Sequence, residues 1–141
     1  MIVAPATPEH SQGWLALRAM LWGKDAGDPA EIAGRLAEGG GFVALEDGRV
    51  IGFAESAIRH DYVNGCDTSP VLFLEGLCVD PAHRRRGVAR ALVAAVTQWG
   101  RGLGCTEFAS DAELDNRQSH AMHRALGFVE TERVVYFRRA L

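Results

Sequence analysis

Paired cysteine is the first thing this chain lacks. Its three cysteines, Cys66, Cys78 and Cys105, are odd in number, widely spaced and outside any CxxC pattern. That argues against a disulfide framework or a zinc site and points to reduced thiols in a cytoplasm. Long apolar runs are missing as well: none approaches about 18 residues, so no membrane span is expected. The opening MIVAPATPEH has no basic region followed by an apolar run, so no secretory signal is expected either. An excess of positive charge is also absent. A net charge of −3 disfavours wholesale binding to nucleic acid or an anionic membrane, although a local basic loop can still hold a phosphate. Repeats, low-complexity segments and linkers do not occur.

What is present suits one folded unit. The 141 residues are 48% hydrophobic and 23% charged, near the average for globular chains. A domain of this length buries roughly 70% of its unfolded surface, enough for a core without metals or disulfides. A single domain over residues 1–141 is expected.

Along the chain, Ile2-Val3-Ala4 reads as a brief strand. Thr7-Pro8 opens a helix with Trp14, Leu17, Leu21 and Trp22 at helical spacing, stopping near Gly23. Asp28-Pro29-Ala30-Glu31 starts a second helix that ends at Gly39-Gly40-Gly41. Phe42–Glu46 and Arg49–Arg59 flank Asp47-Gly48, a strong hairpin signal. Residues 60–70, HDYVNGCDTSP, read as a loop. Thr106–Ser110 reads as a strand, Arg117–Leu126 as a helix, and Phe128–Val129 and Val134–Phe137 as closing strands.

The stretch Leu72–Leu103, LFLEGLCVDPAHRRRGVARALVAAVTQWGRGL, organises the rest. Val71–Val79 suits a central strand buried on both faces. A turn and an Arg/Gly-rich loop follow, then a helix with Val88, Leu92, Ala95, Trp99 and Leu103 on one stripe. A glycine loop lets backbone N–H groups approach a ligand, and a helix N-terminus adds its dipole behind them. A phosphate-bearing ligand is the expectation. Glu75 stands alone in the apolar run FLEGL, where burial is costly unless it is paired or faces a cleft.

Arg84-Arg85-Arg86-Gly87-Val88-Ala89 matches the R-x-x-G-x-A form of an acyl-CoA pyrophosphate loop. With Leu77-Cys78-Val79-Asp80-Pro81 before it, and Asn116 and Leu126-Gly127-Phe128 after it, the chain resembles the GNAT superfamily of N-acetyltransferases. The resemblance implies an α/β fold with a central mixed twisted sheet, antiparallel then parallel, splayed central strands and helices on both faces. It implies acetyl-CoA as co-substrate. The pyrophosphate would be held by N–H groups from Arg85 to Ala89 with charge from Arg84, Arg85 and Arg86, and the pantetheine by the strand edge at Leu77, Cys78 and Val79. The Val79 N–H would hold the oxyanion, and Asn116 would contact the pantetheine arm or cap a helix.

Segments outside that motif resemble the chromosomal-type aminoglycoside 6'-N-acetyltransferases: Arg59-His60-Asp61-Tyr62-Val63-Asn64-Gly65-Cys66-Asp67, Phe73-Leu74-Glu75-Gly76, Ala109-Ser110-Asp111 and Glu130-Thr131-Glu132-Arg133-Val134. The implied substrate is a polycationic aminoglycoside. Glu75 would orient its ammonium and take the proton, Asp111 and Glu132 would bind other amino groups, and Trp22 and Tyr62 would wall the sugar rings. The resembled subfamily forms homodimers, with C-terminal strands near the partner subunit.

The chain departs from the family at one position. Where many members carry a tyrosine acting on the departing thiolate, this chain has His123, which could serve as the acid or could cap or pack; Tyr136 is a distant substitute. The loop Gly23-Lys24-Asp25-Ala26-Gly27 is short for the pattern, and Lys24 is an odd neighbour for a cationic substrate. His120-x-x-His123 has no third ligand at a matching spacing, and no metal is expected. The rivals are acetyl transfer to another amine, such as a polyamine or peptide amine, and a non-catalytic acyl-CoA sensor.

Overall fold

A computed structural model of the chain describes residues 1–23 and 27–141, so Lys24 lies outside the described residues. Strand β1 (Ile2–Pro5) is followed by a 3-10 turn at Pro8–His10 and helix α1 (Ser11–Trp22). Thr7 and His10 cap the turn reciprocally, the Thr7 N–H donating to His10 Nδ1 at 3.0 Å. The left-handed Gly23 closes α1. Helix α2 (Pro29–Glu38) starts where the Asp28 carboxylate accepts the Ala30 N–H at 2.9 Å and ends at Gly39.

Strands β2 (Gly41–Glu46) and β3 (Arg49–Arg59) are joined by Asp47 and Gly48, both at positive φ, the backbone a two-residue hairpin demands. Strand β4 (Val71–Val79) and helix α3 (Val88–Gly102) follow, then β5 (Phe108–Ser110) and α4 (Arg117–Ala125). The sheet order is β1-β2-β3-β4-β5, antiparallel up to β4 and parallel between β4 and β5.

Helices cover both faces. On one, α3 sets Val88, Leu92 and Val96 against Phe42, Ala44, Ile51, Ala54, Leu72 and Leu74. On the other, Trp14, Leu17 and Ile32 of α1 and α2 pack on Val43, Phe53 and Cys78. Full burial of each large apolar side chain contributes on the order of 1.5–3 kcal/mol. The closest backbone approach is at Gly40 (φ +83°), whose carbonyl accepts both the N–H and hydroxyl of Ser56 at 3.0 and 2.6 Å and leaves no room for a Cβ.

Three expectations are corrected. Leu103 leaves the α3 stripe, because the helix ends at Gly102 and Leu103 is 53% exposed. Strand β5 is shorter than Thr106–Ser110, since β4 offers it only Leu72 to Leu74. The closing strands do not form: no strand follows β5, and Val129, Val135, Tyr136 and Phe137 are each at least 77% exposed. Their residue types favour strand, but the sheet ends at β5, which offers an edge of only three residues, Phe108–Ser110. Among the described residues no helix is long and apolar enough to cross a membrane.

Candidate active site

Two irregularities in β4 create the site. Pairing with β5 stops after Leu74 opposite Ser110, so from there β4 has β3 on one side and an open edge on the other. In the β3 pairing, Glu55 faces Gly76 and Ser56 faces Leu74. Glu75 is therefore the extra residue of a β-bulge, a device that re-aims a side chain. Further along, the Asp80 N–H donates to the Ile51 carbonyl on β3 at 2.8 Å. By strand alternation, the preceding Val79 N–H and that of Leu77 turn to the open edge.

The loop after β4 ends at Gly87, left-handed at φ +78°, directly before α3. The first helical bond runs from the Ala91 N–H to the Gly87 carbonyl, so the N–H groups of Val88, Ala89 and Arg90 have no helical partner. Arg85 also sits at positive φ, +63°. A strained non-glycine residue beside free amides is a mark of a functional turn.

The three arginines part company here. Arg84 Nε donates to the Val79 carbonyl at 3.3 Å. Arg86 is held by Glu46, with Nη2 at 2.7 Å from Oε1, and His83 Nε2 lies 3.0 Å from the other Glu46 oxygen. The Arg86 hydrogen bond, ahead of the other contacts, holds the Glu46 carboxyl below its ordinary range. Among the described residues only Arg85 of the three has no ion pair or side-chain hydrogen bond.

Where β4 parts from β5, Glu75 is paired: Arg59 Nη2 lies 3.0 Å from Oε1, and the Arg59 guanidinium sits 3.4 Å over the centroid of the Phe73 ring. Trp22, 44% exposed, meets β4 at Gly76, the residue after Glu75, and packs edge-on against Phe53 at 5.4 Å. Tyr62, 76% exposed, lines a shallow cavity of about 400 Å³ with Asp61, Asp67 and Thr68. Glu107 fastens that loop, its Oε1 accepting the Asp67 and Thr68 N–H groups at 2.9 and 2.8 Å together with the Thr68 hydroxyl. Asp111 follows Ser110 at the mouth of the splay, across from Glu75. Glu132 lies in the exposed tail, which touches the loop where Thr131 packs on Gly65.

His123 is tethered at both nitrogens. Nδ1 donates to the Ser119 carbonyl at 2.7 Å, Nε2 is 2.8 Å from the Ser110 hydroxyl, and the ring packs edge-on against Phe128. Asn116 is the N-cap of α4, accepting the Ser119 N–H at 3.1 Å. Burial, with Glu55 adding negative charge, pushes the Cys78 thiol up to about 12, so it is no nucleophile. Arg59 and Ser110 stand in the resembling segments without a role of their own, and Glu55 stands outside them. Glu55 carried the signal used for Glu75, a lone carboxylate in an apolar run, yet it is 2% exposed and paired inside. Among the described residues no group of three metal-binding side chains occurs.

The chain belongs to the acetyltransferase (GNAT) family, whose pattern matches residues 9–128. Within that family its similarity runs to aminoglycoside N(6')-acetyltransferases of type 1. The Stenotrophomonas maltophilia protein of that name is 52% identical over 143 residues, covering 99% of this chain and 93% of that protein. The Salmonella enteritidis protein is 49% identical over 139 residues, with 92% of each covered. The crystal structure of an aminoglycoside 6'-N-acetyltransferase from Acinetobacter haemolyticus, solved without ligand, superposes with a TM-score of 0.92 at 47% identity, covering 100% of this chain and 99% of that one. AAC(6')-Iy, in complex with the bisubstrate analogue CoA-S-monomethyl-acetylneamine, gives 0.92 at 46% identity over 99% and 98%.

Proposed function

We infer that residues 1–141 form one catalytic domain that transfers the acetyl group of acetyl-CoA to the 6'-amine of an aminoglycoside by direct attack in a ternary complex. The observation that carries this reading is the position of Glu75, set on a bulge where β4 parts from β5, one residue from Trp22's seat on Gly76. The pyrophosphate lies on the N–H groups from Arg85 to Ala89, with Gly87 giving close approach and Arg85 supplying charge. Arg84 and Arg86 act by shaping the loop. The pantetheine runs along Leu77, Cys78 and Val79, with Asn116 contacting its arm while capping α4.

The substrate ammonium meets Glu75, which removes its proton directly or through water. The free amine forms the C–N bond to the thioester carbonyl, whose oxygen takes the negative charge and is held by the Val79 N–H. Collapse breaks the C–S bond, the nitrogen loses its second proton, and the thiolate is protonated by His123 or by solvent. Trp22 and Tyr62 wall the sugar rings, and Asp111 and Glu132 take other ammonium groups. Arg59 holds the carboxylate when no substrate cation is there.

The exposed apolar tail supports a homodimer in which a second copy supplies the missing sheet edge. Reduced cysteines and a metabolic acyl donor support a cytoplasmic enzyme. Purified protein with acetyl-CoA and a thiol-detecting reagent tests the reaction. Kanamycin or tobramycin is expected to release CoA; release with spermidine and none with either antibiotic would overturn the reading.

A further inference from the structure

Beneath the acceptor side of β4 lie four charges that the reaction above does not use. Glu55 accepts a hydrogen bond from Trp14 Nε1 at 2.9 Å, and its two oxygens lie 3.2 Å from Arg18 Nε and 3.2 Å from Arg35 Nε. Arg18 is 5% exposed and donates through Nη2 to Glu31 Oε1 at 2.9 Å, an oxygen Arg35 also reaches at 3.4 Å. Glu31, Arg18, Glu55 and Arg35 thus tie α1, α2 and β3 together. Burial is the largest influence on Glu55 and pushes its carboxyl up, against the pull of both arginines and Trp14. Apolar residues in these places would avoid that desolvation cost, so cohesion alone is a weak account of the network.

What the network touches is Trp22. The Arg18 guanidinium carbon lies 5.4 Å from the centroid of the Trp22 ring, and the rim of the same ring rests on Gly76. A Cβ at Gly76 would fall 2.6 Å from Trp22 Cη2 and 3.5 Å from Glu55 Oε2. Arg18 Nε lies near Glu55 without hydrogen-bond geometry, and Nη1 has no hydrogen-bond partner. The guanidinium is therefore held by charge and by the indole more than by a closed set of hydrogen bonds. An arginine beneath a tryptophan already occupies part of the ring's attraction for cations.

We propose that Arg18 is a positioning residue for the acceptor: anchored by Glu55 and Glu31, it fixes the Trp22 indole against Gly76 as a rigid platform for the C–H face of the amino sugar ring whose amine reaches Glu75. The ammonium groups are left to the carboxylates. This rests on Trp22 being a wall of the acceptor site, and the test separates the two.

Arg18→Met keeps the stem and leaves Glu55 paired with Arg35; Gly76→Ala moves the indole without altering any charge; Trp22→Ala removes the platform. In steady-state kinetics on the full chain, Arg18→Met is expected to raise the KM for kanamycin about three- to thirtyfold, the range a cation–π contact supplies. The KM for acetyl-CoA and the pH profile of kcat should stay unchanged, while iodide quenching of the exposed tryptophan increases. Gly76→Ala should reproduce the kanamycin shift, and it decides the matter if Arg18→Met fails to fold. A raised kanamycin KM in Trp22→Ala, with Arg18→Met or Gly76→Ala like the parent, would overturn the role of Arg18 and leave the wall standing. An unchanged KM in Trp22→Ala would overturn the wall and the proposal with it.

Discussion

Replacing Gly87 by alanine separates the two things that residue does. At φ +78° an L-residue pays about 1–2 kcal/mol for the left-handed backbone. Loss of glycine's extra freedom in the unfolded chain returns about 0.4–1 kcal/mol. No heavy atom lies within 4 Å of the added Cβ, so no packing cost is expected. The net loss is about 1 kcal/mol, which for a chain of this length lowers Tm by roughly 3–5 °C. The open space beside Gly87 is where a pyrophosphate would approach the amides of α3, so the methyl should weaken cofactor binding by more than the stability loss. The KM for acetyl-CoA is expected to rise at least about tenfold, equivalent to about 1.4 kcal/mol, with the aminoglycoside KM unchanged. Differential scanning fluorimetry and initial rates at saturating acceptor read the two effects. A normal acetyl-CoA KM beside the predicted Tm loss would show that the glycine serves the turn alone and that the pyrophosphate lies elsewhere.

Three further outcomes follow from the geometry. Glu75→Gln should lower kcat by about 10²–10⁴ as a general base is lost. Its urea midpoint should barely move, because the Arg59 left behind is 40% exposed and stays hydrated. Glu31, Glu46 and Glu107 all have carboxyls held below the ordinary 4.5, chiefly by hydrogen bonds from Arg18, Arg86 and the Thr68 hydroxyl respectively. Their stabilisation is present above pH 4.5 and is lost as pH falls through the lowered folded values; Glu55, raised, has the opposite sign. Urea titrations from pH 7 to 3 should show this acid limb, and Glu107→Gln should flatten it; an identical limb would refute the assignment. Phe137→Asp in the exposed tail should convert a dimer of the 15.3 kDa chain to monomer by light scattering, and a parent already monomeric would refute the proposed partner edge.

Local chemistry was legible where it decides structure locally. Val71–Val79, the Asp47-Gly48 hairpin, the Asp28 cap and the glycine stops of α1 and α2 all stand where residue type places them. The site was legible as a set of residues more than as an arrangement. Glu55 and Glu75 look alike in sequence because periodicity says nothing about which side of a sheet receives two arginines. Arg84, Arg85 and Arg86 form one motif on paper, but the turn of the backbone aims one at a carbonyl and one at Glu46. The tail reads as strand because propensity speaks of a residue's fitness for a sheet and is silent about whether an edge is free to receive it.

The bulge at Glu75 has one more effect. Before it, Leu72 and Leu74 point to the α3 core; after it, Leu77 and Val79 do, and Cys78 joins the core of α1 and α2. One inserted residue thus switches β4 from even to odd numbering on the α3 face and from odd to even on the other. Had the alternation run through unbroken, Gly76 would share the α3 side with Leu72 and Leu74, and Glu75 would take its place opposite Glu55, where the indole of Trp22 rests. The bulge works as a phase inverter, letting one strand fill a core with its first half and clear a seat for an aromatic ring with its second.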